Sequence, residues 1–153
     1  MPSVNIYLTF DGNCKQAFEF YQSVFGGEFP YVGTFGEMPA QENMPPIPDD
    51  QKDRIMHMSL PIGTHSVLMG SDTGGEWAKY HQAGTNFSIS VTADSMEEAD
   101  RIYQGLSQGG IQTMPMGNTF WESYFGMLTD PFGINWQVSF ELAAHKQFEE
   151  DNK

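Results

Sequence analysis

Several side chains in this sequence have the chemistry to bind or transform a small molecule. His57, in RIMHMSLPI, carries an imidazole whose ordinary pKa of ~6.5 suits a general base or a ligand. Glu122, beside Trp121 in FWESYFG, is the carboxylate candidate that could join it. The amides of Asn5, Asn86 and Gln137 and the hydroxyls of Tyr7, Thr9 and Ser88 add hydrogen-bonding groups. Phe120, Trp121, Tyr124 and Tyr7 could wall a flat or apolar ligand. Each has a structural reading beside the functional one: a strand histidine held by hydrogen bonds, a solvated loop acid, aromatics belonging to the core. His65, His81 and His145 fall in turns or near the chain end and are given no role.

Some chemistries are absent. With Cys14 as the single cysteine, no intrachain disulfide and no cysteine-rich metal site can form, which fits a reducing cytoplasm. Cys14 itself reads as a helix-start residue without a basic or histidine neighbour beyond Lys15 to activate it. No G-x-S-x-G elbow marks a hydrolase. No long apolar run or charged leader marks a membrane span or a signal peptide.

The elements that position these residues follow from periodicity. In VNIYLTF, Ile6, Leu8 and Phe10 alternate with Asn5, Tyr7 and Thr9, as in a half-buried strand. A turn at Asp11-Gly12-Asn13 leads to Ala17, Phe18, Tyr21, Val24 and Phe25 at helical spacing, stopped by Gly26-Gly27. The same order returns with Phe87, Ile89 and Val91 alternating with Asn86, Ser88 and Ser90, then MEEADRIYQGLSQ and Gly109-Gly110. Asn5 and Asn86, Tyr21 and Tyr103, and Gly26 and Gly109 are separated by 81, 82 and 83 residues, so two diverged copies are present. GEFPYV, HMSLPI and HSVLMGSD supply strands to the first copy; IQTMPM, YFGMLTD and, after the Asp130-Pro131-Phe132-Gly133 turn, INWQVSF supply the second. The unit is β-α-β-β-β, written twice.

The spacing therefore predicts one domain over residues 1–153, with module one at about 1–75, module two at about 82–142 and a short carboxy-terminal helix at about 140–150. Residues 35–53, rich in Pro and acid, form a long surface loop in which Met38 and Met44 offer adaptable apolar contacts. Helices covering one sheet face take Ile6, Leu8, Phe10, Phe87, Ile89, Val91, Trp136 and Val138. The opposite face collects Asn5, Tyr7, Thr9, His57, Ser59, Asn86, Ser88, Ser90, Asn135, Gln137 and Ser139. It either lines a shared cavity or faces water.

The chain carries a net charge of −13 with an aromatic content of 14%. Such a balance excludes a nucleic-acid or anionic-membrane partner, which would need a basic face. The aromatics, including 12 Phe, exclude a disordered acidic chain.

The segments YLTFDGNCKQAFEFYQSVFGGEF, RIMHMSLPIGTHSVLMGSD and FWESYFGMLTDPFGINWQVSF resemble the vicinal oxygen chelate superfamily of glyoxalases, bleomycin-resistance proteins and extradiol dioxygenases, and within it the PhnB-like group. The resemblance implies an α+β fold of paired βαβββ modules forming a curled, cup-shaped mixed sheet with flanking helices, frequently completed across a homodimer. It favours the cavity over the solvated face. Metal-dependent members place His or Gln and Glu at positions that fall here on Asn5, Asn86, Gln137 and a slot near Val67 or Met69. None supplies a carboxylate or an imidazole, and such a set holds divalent ions poorly. The resemblance thus implies a protein that binds a small organic molecule through Asn5, Tyr7, Thr9, Met69, Asn86, Ser88, Trp121 and Gln137, with no cofactor. The alternative is an enzyme, a lyase, isomerase or dioxygenase, whose divalent metal is held differently and whose catalytic residues are His57 and Glu122. A third reading comes from the methyltransferase label that PhnB-like sequences carry. It fits poorly, because the double glycines follow helices rather than the first strand of a parallel sheet.

Overall fold

The computed structural model describes residues 2–39, 46–142 and 151. The chain is α+β and divides into two compact units, Met1–Gln82 and Ala83–Lys153. Among the described residues, each holds one long helix and one open, mixed four-stranded sheet.

In the first unit the elements are β1 (Ile6–Phe10), α1 (Cys14–Phe25), β2 (Tyr31–Thr34), β3 (Ile55–Ile62) and β4 (Ser66–Asp72). The strand order is β1-β4-β3-β2; β1 and β4 are parallel and the other pairs antiparallel. Alternation along each strand separates the faces. Leu8, Phe10, Met58, Leu60 and Leu68 are buried under α1, which turns Cys14, Ala17, Phe18, Tyr21 and Val24 inward. Phe18 meets Phe10 and Tyr21 edge-on, with centroids 6.3 and 5.8 Å apart. Full burial of such a side chain contributes about 1.5–3 kcal/mol. The helix approaches so closely that Gly70 has no room for a Cβ, which would stand 2.7 Å from the Phe18 ring. Gly26, at φ 76°, ends α1 and returns its N–H to Gln22 O at 2.8 Å.

The second unit repeats the order as β5 (Ile89–Thr92), α2 (Met96–Ser107), β6 (Ile111–Asn118), β7 (Ser123–Thr129) and β8 (Asn135–Glu141), paired as β5-β8-β7-β6. Again the first and last strands are parallel. The Ser95 hydroxyl caps α2 by accepting the Glu98 N–H at 3.0 Å. Ile89, Leu128, Trp136 and Val138 are buried on the same side as the Ala99, Ile102, Tyr103 and Leu106 face of α2. The Asp130-Pro131-Phe132-Gly133 turn forms as expected: the Asp130 carboxylate accepts the N–H groups of Phe132 and Ile134 and the indole N–H of Trp136.

Three expectations need correction. The strand pattern extended back to Asn5 in the first copy and to Asn86, Phe87 and Ser88 in the second, but β1 begins at Ile6 and β5 at Ile89. The β5 ladder starts with Ile89 opposite Trp136 and β8 begins at Asn135, because Ile134 is engaged in the turn through its bond to Asp130. In this register Phe87 would fall opposite Ile134, outside β8, and it is half exposed rather than covered by a helix. Residues 35–53 include short 3-10 turns at Phe35–Glu37 and Asp49–Gln51, and the ends of the segment are joined by Phe35 N–H to Arg54 O and Gly36 N–H to Lys52 O. Met44, with most of the carboxy-terminal helix expected at 140–150, lies outside the described residues; β8 itself runs to Glu141.

Candidate functional site

The face of the first sheet turned away from α1 carries most of that unit's candidates. Pairing sets them in rows. Tyr7 lies opposite Met69, Met69 opposite Ser59, and Ser59 opposite Tyr31, which makes one row across all four strands. The next row includes Thr9, opposite Ser71, and His57, opposite Gly33. Tyr7 and Tyr31 are 49% and 50% exposed, far more than tyrosines serving as core.

These two tyrosines converge on His57. The Tyr7 hydroxyl lies 3.3 Å from His57 Nδ1. The ring centroids of Tyr7 and Tyr31 stand 5.6 and 5.8 Å from that of the imidazole, with interplanar angles of 33° and 43°. Gly33 makes this arrangement fit. A Cβ there would come within 2.6 Å of Tyr31 Oη, so the tyrosine ring crosses over the glycine to reach the histidine opposite it. The sequence does not single out Tyr31, since its four-residue strand carries little periodicity. The aromatic just before a glycine, paired with the histidine strand, was the available signal.

Asn5 is exposed and precedes β1, at the edge of this face. Thr9 is exposed on it, and Met69 is half-buried beside Tyr7.

In the second unit the corresponding face has different chemistry. Ser90, Gln137, Met127 and Met114 form one row, and Thr92, Ser139, Phe125 and Gly117 the next. Gln137 is thus an amide beside thioethers. Trp121 packs against Phe120 and Phe125 with centroids 4.9 and 5.7 Å away. Phe120 itself is 94% exposed at the tip of the β6–β7 hairpin. Glu122 follows with φ 58°, the one non-glycine positive φ among the described residues. Its backbone is tied at both ends, N–H to Thr119 O and C=O to the Leu142 N–H. Asn86 and Ser88 are exposed ahead of β5.

Of the expected aromatic residues Phe120, Trp121, Tyr124 and Tyr7, Phe120 and Trp121 pack together in this unit, whereas Tyr124 is directed elsewhere. Tyr124 shares its side of β7 with Gly126 and Leu128, facing α2, where its hydroxyl donates to Asp100 at 2.6 Å. That bond and the Asp100 charge raise the Tyr124 pKa. Phe125 takes its place beside Trp121.

At the positions where the resemblance places metal ligands, the side chains are neither carboxylates nor imidazoles. Among the described residues, no three His, Cys, Asp or Glu side chains are grouped to hold one. Asn5, Asn86, Gln137 and Met69 bring only amide and thioether groups. Nor does the turn after β1 offer a nucleotide cradle. The N–H groups of Gly12 and Cys14, at the start of α1, both donate to Asp72 Oδ1 at 2.9 Å and are already used.

Residues 2–139 match the family model described as 3-demethylubiquinone-9 3-methyltransferase. The chain belongs to this family, the PhnB-like group, and it shares the fold of glyoxalase and bleomycin-resistance proteins. It is similar to protein YjdN of Escherichia coli, 31% identical over 138 residues that cover 87% of this chain and 91% of that one. Among solved structures, this PhnB-like chain resembles protein PA1353 from Pseudomonas aeruginosa at 38% identity and TM-score 0.77, covering 92% and 98% of the two chains. The PhnB protein from Bacillus cereus, at 24% identity and TM-score 0.67, covers 91% of this chain and 99% of its own. FosX, a fosfomycin resistance protein from Listeria monocytogenes, shares the fold at 12% identity and TM-score 0.60, with 92% of each chain covered. No helix among the described residues is long and apolar enough to cross a membrane.

Proposed function

We propose that this PhnB-like protein binds a small organic molecule on the open face of its first sheet, at Tyr7, His57 and Tyr31, and that it does so without a metal. The observation that carries the reading is the convergence of two half-exposed tyrosines on one imidazole. Aromatic surface with a few fixed polar groups is how small-molecule sites are built. The neighbouring Met69 adds a polarisable contact that adapts to ligand shape. Asn5 and Thr9 supply hydrogen bonds at the margin. The second unit's Asn86, Ser88, Trp121 and Gln137 stay candidates for ligand contacts of their own.

The reading is tested by ligand-observed NMR against a panel of small aromatic and aliphatic compounds, with His57→Ala and Tyr31→Ala beside the parent. Hits lost in both variants support it; hits unchanged in both overturn it. The metal part has its own measurement. Protein purified without a chelating column and holding near-stoichiometric Ni, Zn, Mn or Fe, lost in His57→Ala, would return the enzyme reading based on His57 and Glu122. A methyltransferase, in turn, would bind S-adenosylmethionine at micromolar concentration in a calorimetric titration, and we expect no such binding. We further propose a homodimer, on the family resemblance and on the exposed edge strand β6, where Ile111 and Met114 are open. Light scattering at the 17.2 kDa monomer mass under micromolar conditions would oppose it.

A further inference from the structure

We infer that Tyr7 fixes the tautomer of His57, and that the face consequently selects flat, uncharged molecules bearing a carbonyl oxygen. The inference rests on the binding reading above and adds the ligand class to it. Between a phenol and a neutral imidazole, the phenol O–H is the stronger donor and the unprotonated ring nitrogen the stronger acceptor. At 3.3 Å, Tyr7 therefore donates to Nδ1 of His57. The ring proton then resides on Nε2.

Two consequences follow. With Nδ1 engaged by Tyr7 and the ring proton on Nε2, His57 presents an N–H donor to a ligand oxygen. The rings on either side, at 5.6 and 5.8 Å, give a planar molecule aromatic surface to lie against while that oxygen reaches Nε2. A carboxylate could also accept the hydrogen bond. The net charge of −13 works against an anion, which selects the neutral carbonyl.

Long-range proton–nitrogen NMR of the ligand-free protein at neutral pH reads the tautomer. The expected pattern is a pyridine-like Nδ1 and a pyrrole-like Nε2 for His57, collapsing to a tautomer mixture in Tyr7→Phe. Titrations then use acetophenone, ethylbenzene and benzoate as probes. Acetophenone should bind about fivefold more tightly than ethylbenzene, the worth of one net hydrogen bond, and more tightly than benzoate. That preference over ethylbenzene should shrink in Tyr7→Phe, whose thermal melt checks that the fold is kept. A pyrrole-like Nδ1 overturns the inference even if acetophenone still shifts the His57 signals, and in that case the binding reading survives. Equal affinities for acetophenone and ethylbenzene overturn the ligand class. No shift at His57 or Tyr31 with any of the three probes overturns the class and the binding reading together.

Discussion

Asp72 and Cys14 are joined by a 2.9 Å hydrogen bond from the Cys14 backbone N–H to the Asp72 carboxylate, across 58 residues of chain. The same carboxylate accepts from Gly12 N–H and, through its other oxygen, from Ile55 N–H, both at 2.9 Å. One side chain at the end of β4 therefore fixes the turn into α1 and the start of β3. Since β1, β3 and β4 carry Tyr7, His57 and Met69, the bond also sets the register of the candidate site.

Asp72→Ala should cost about 3 kcal/mol of unfolding free energy, because it strands backbone donors in buried surroundings. Asp72→Asn, which keeps one acceptor oxygen, should cost less. Urea denaturation of the three proteins gives the order; equal midpoints for parent and Asp72→Ala would refute the role.

Asp72 also illustrates what the sequence could and could not tell. The alternation of Leu8 with Phe10 and of Trp136 with Val138 identified the covered faces, because each strand has one continuous apolar side. The repeat of strand, helix and double glycine gave the β-α-β-β-β order for the same reason. Asp72, by contrast, looks like any acid at a strand end, and only the meeting of three distant N–H groups makes it structural. SYFGMLT is apolar on both sides, so alternation does not settle which way Tyr124 faces; the packing of Gly126 under Tyr103 of α2 does. Phe87 falls outside the register that pairs β5 with β8. His57, Tyr7 and Thr9 were legible as one face, but the inclusion of Tyr31 depended on a glycine that lets its ring pass.

Gly70 should tolerate no side chain. A Cβ would stand 2.7 Å from Phe18 Cε1 and 2.9 Å from Leu8 O, and backbone cannot yield as a flexible side chain can. Gly70→Ala should lose about 1–3 kcal/mol by overpacking. Pairing it with Phe18→Leu should recover part of the loss, since the ring is one of the two obstacles. A single substitution that leaves the thermal midpoint unchanged would show that α1 moves aside freely.

Glu122 has the opposite sign. At φ 58° an L-residue incurs about 1–2 kcal/mol that glycine avoids, against about 0.5–1 kcal/mol for glycine's greater freedom in the unfolded chain. Glu122→Gly should therefore raise stability by up to about 1.5 kcal/mol while leaving ligand shifts at His57 untouched, which thermal melts and the NMR titration check together. A marked loss of stability would mean that the Glu122 side chain does more than sit on the hairpin.

Cys14 gives the pH dependence. Burial first, and the nearby Asp72 charge second, push its thiol far above the ordinary value of 9.0. In the unfolded chain the thiol ionises near that ordinary value, whereas in the folded chain it stays protonated. Above about pH 9 the unfolded state then binds fewer protons than the folded one, and stability falls as pH rises. Tyr103, whose pKa burial also raises, adds in the same direction, so the decisive quantity is a difference between proteins. Denaturation at pH 7.5 and pH 10 should show a smaller alkaline loss for Cys14→Ala than for the parent, even though the variant starts out less stable from the cavity it creates. The same burial predicts that a thiol reagent labels Cys14 only as fast as the protein opens. Immediate labelling of the native protein at neutral pH would contradict both expectations.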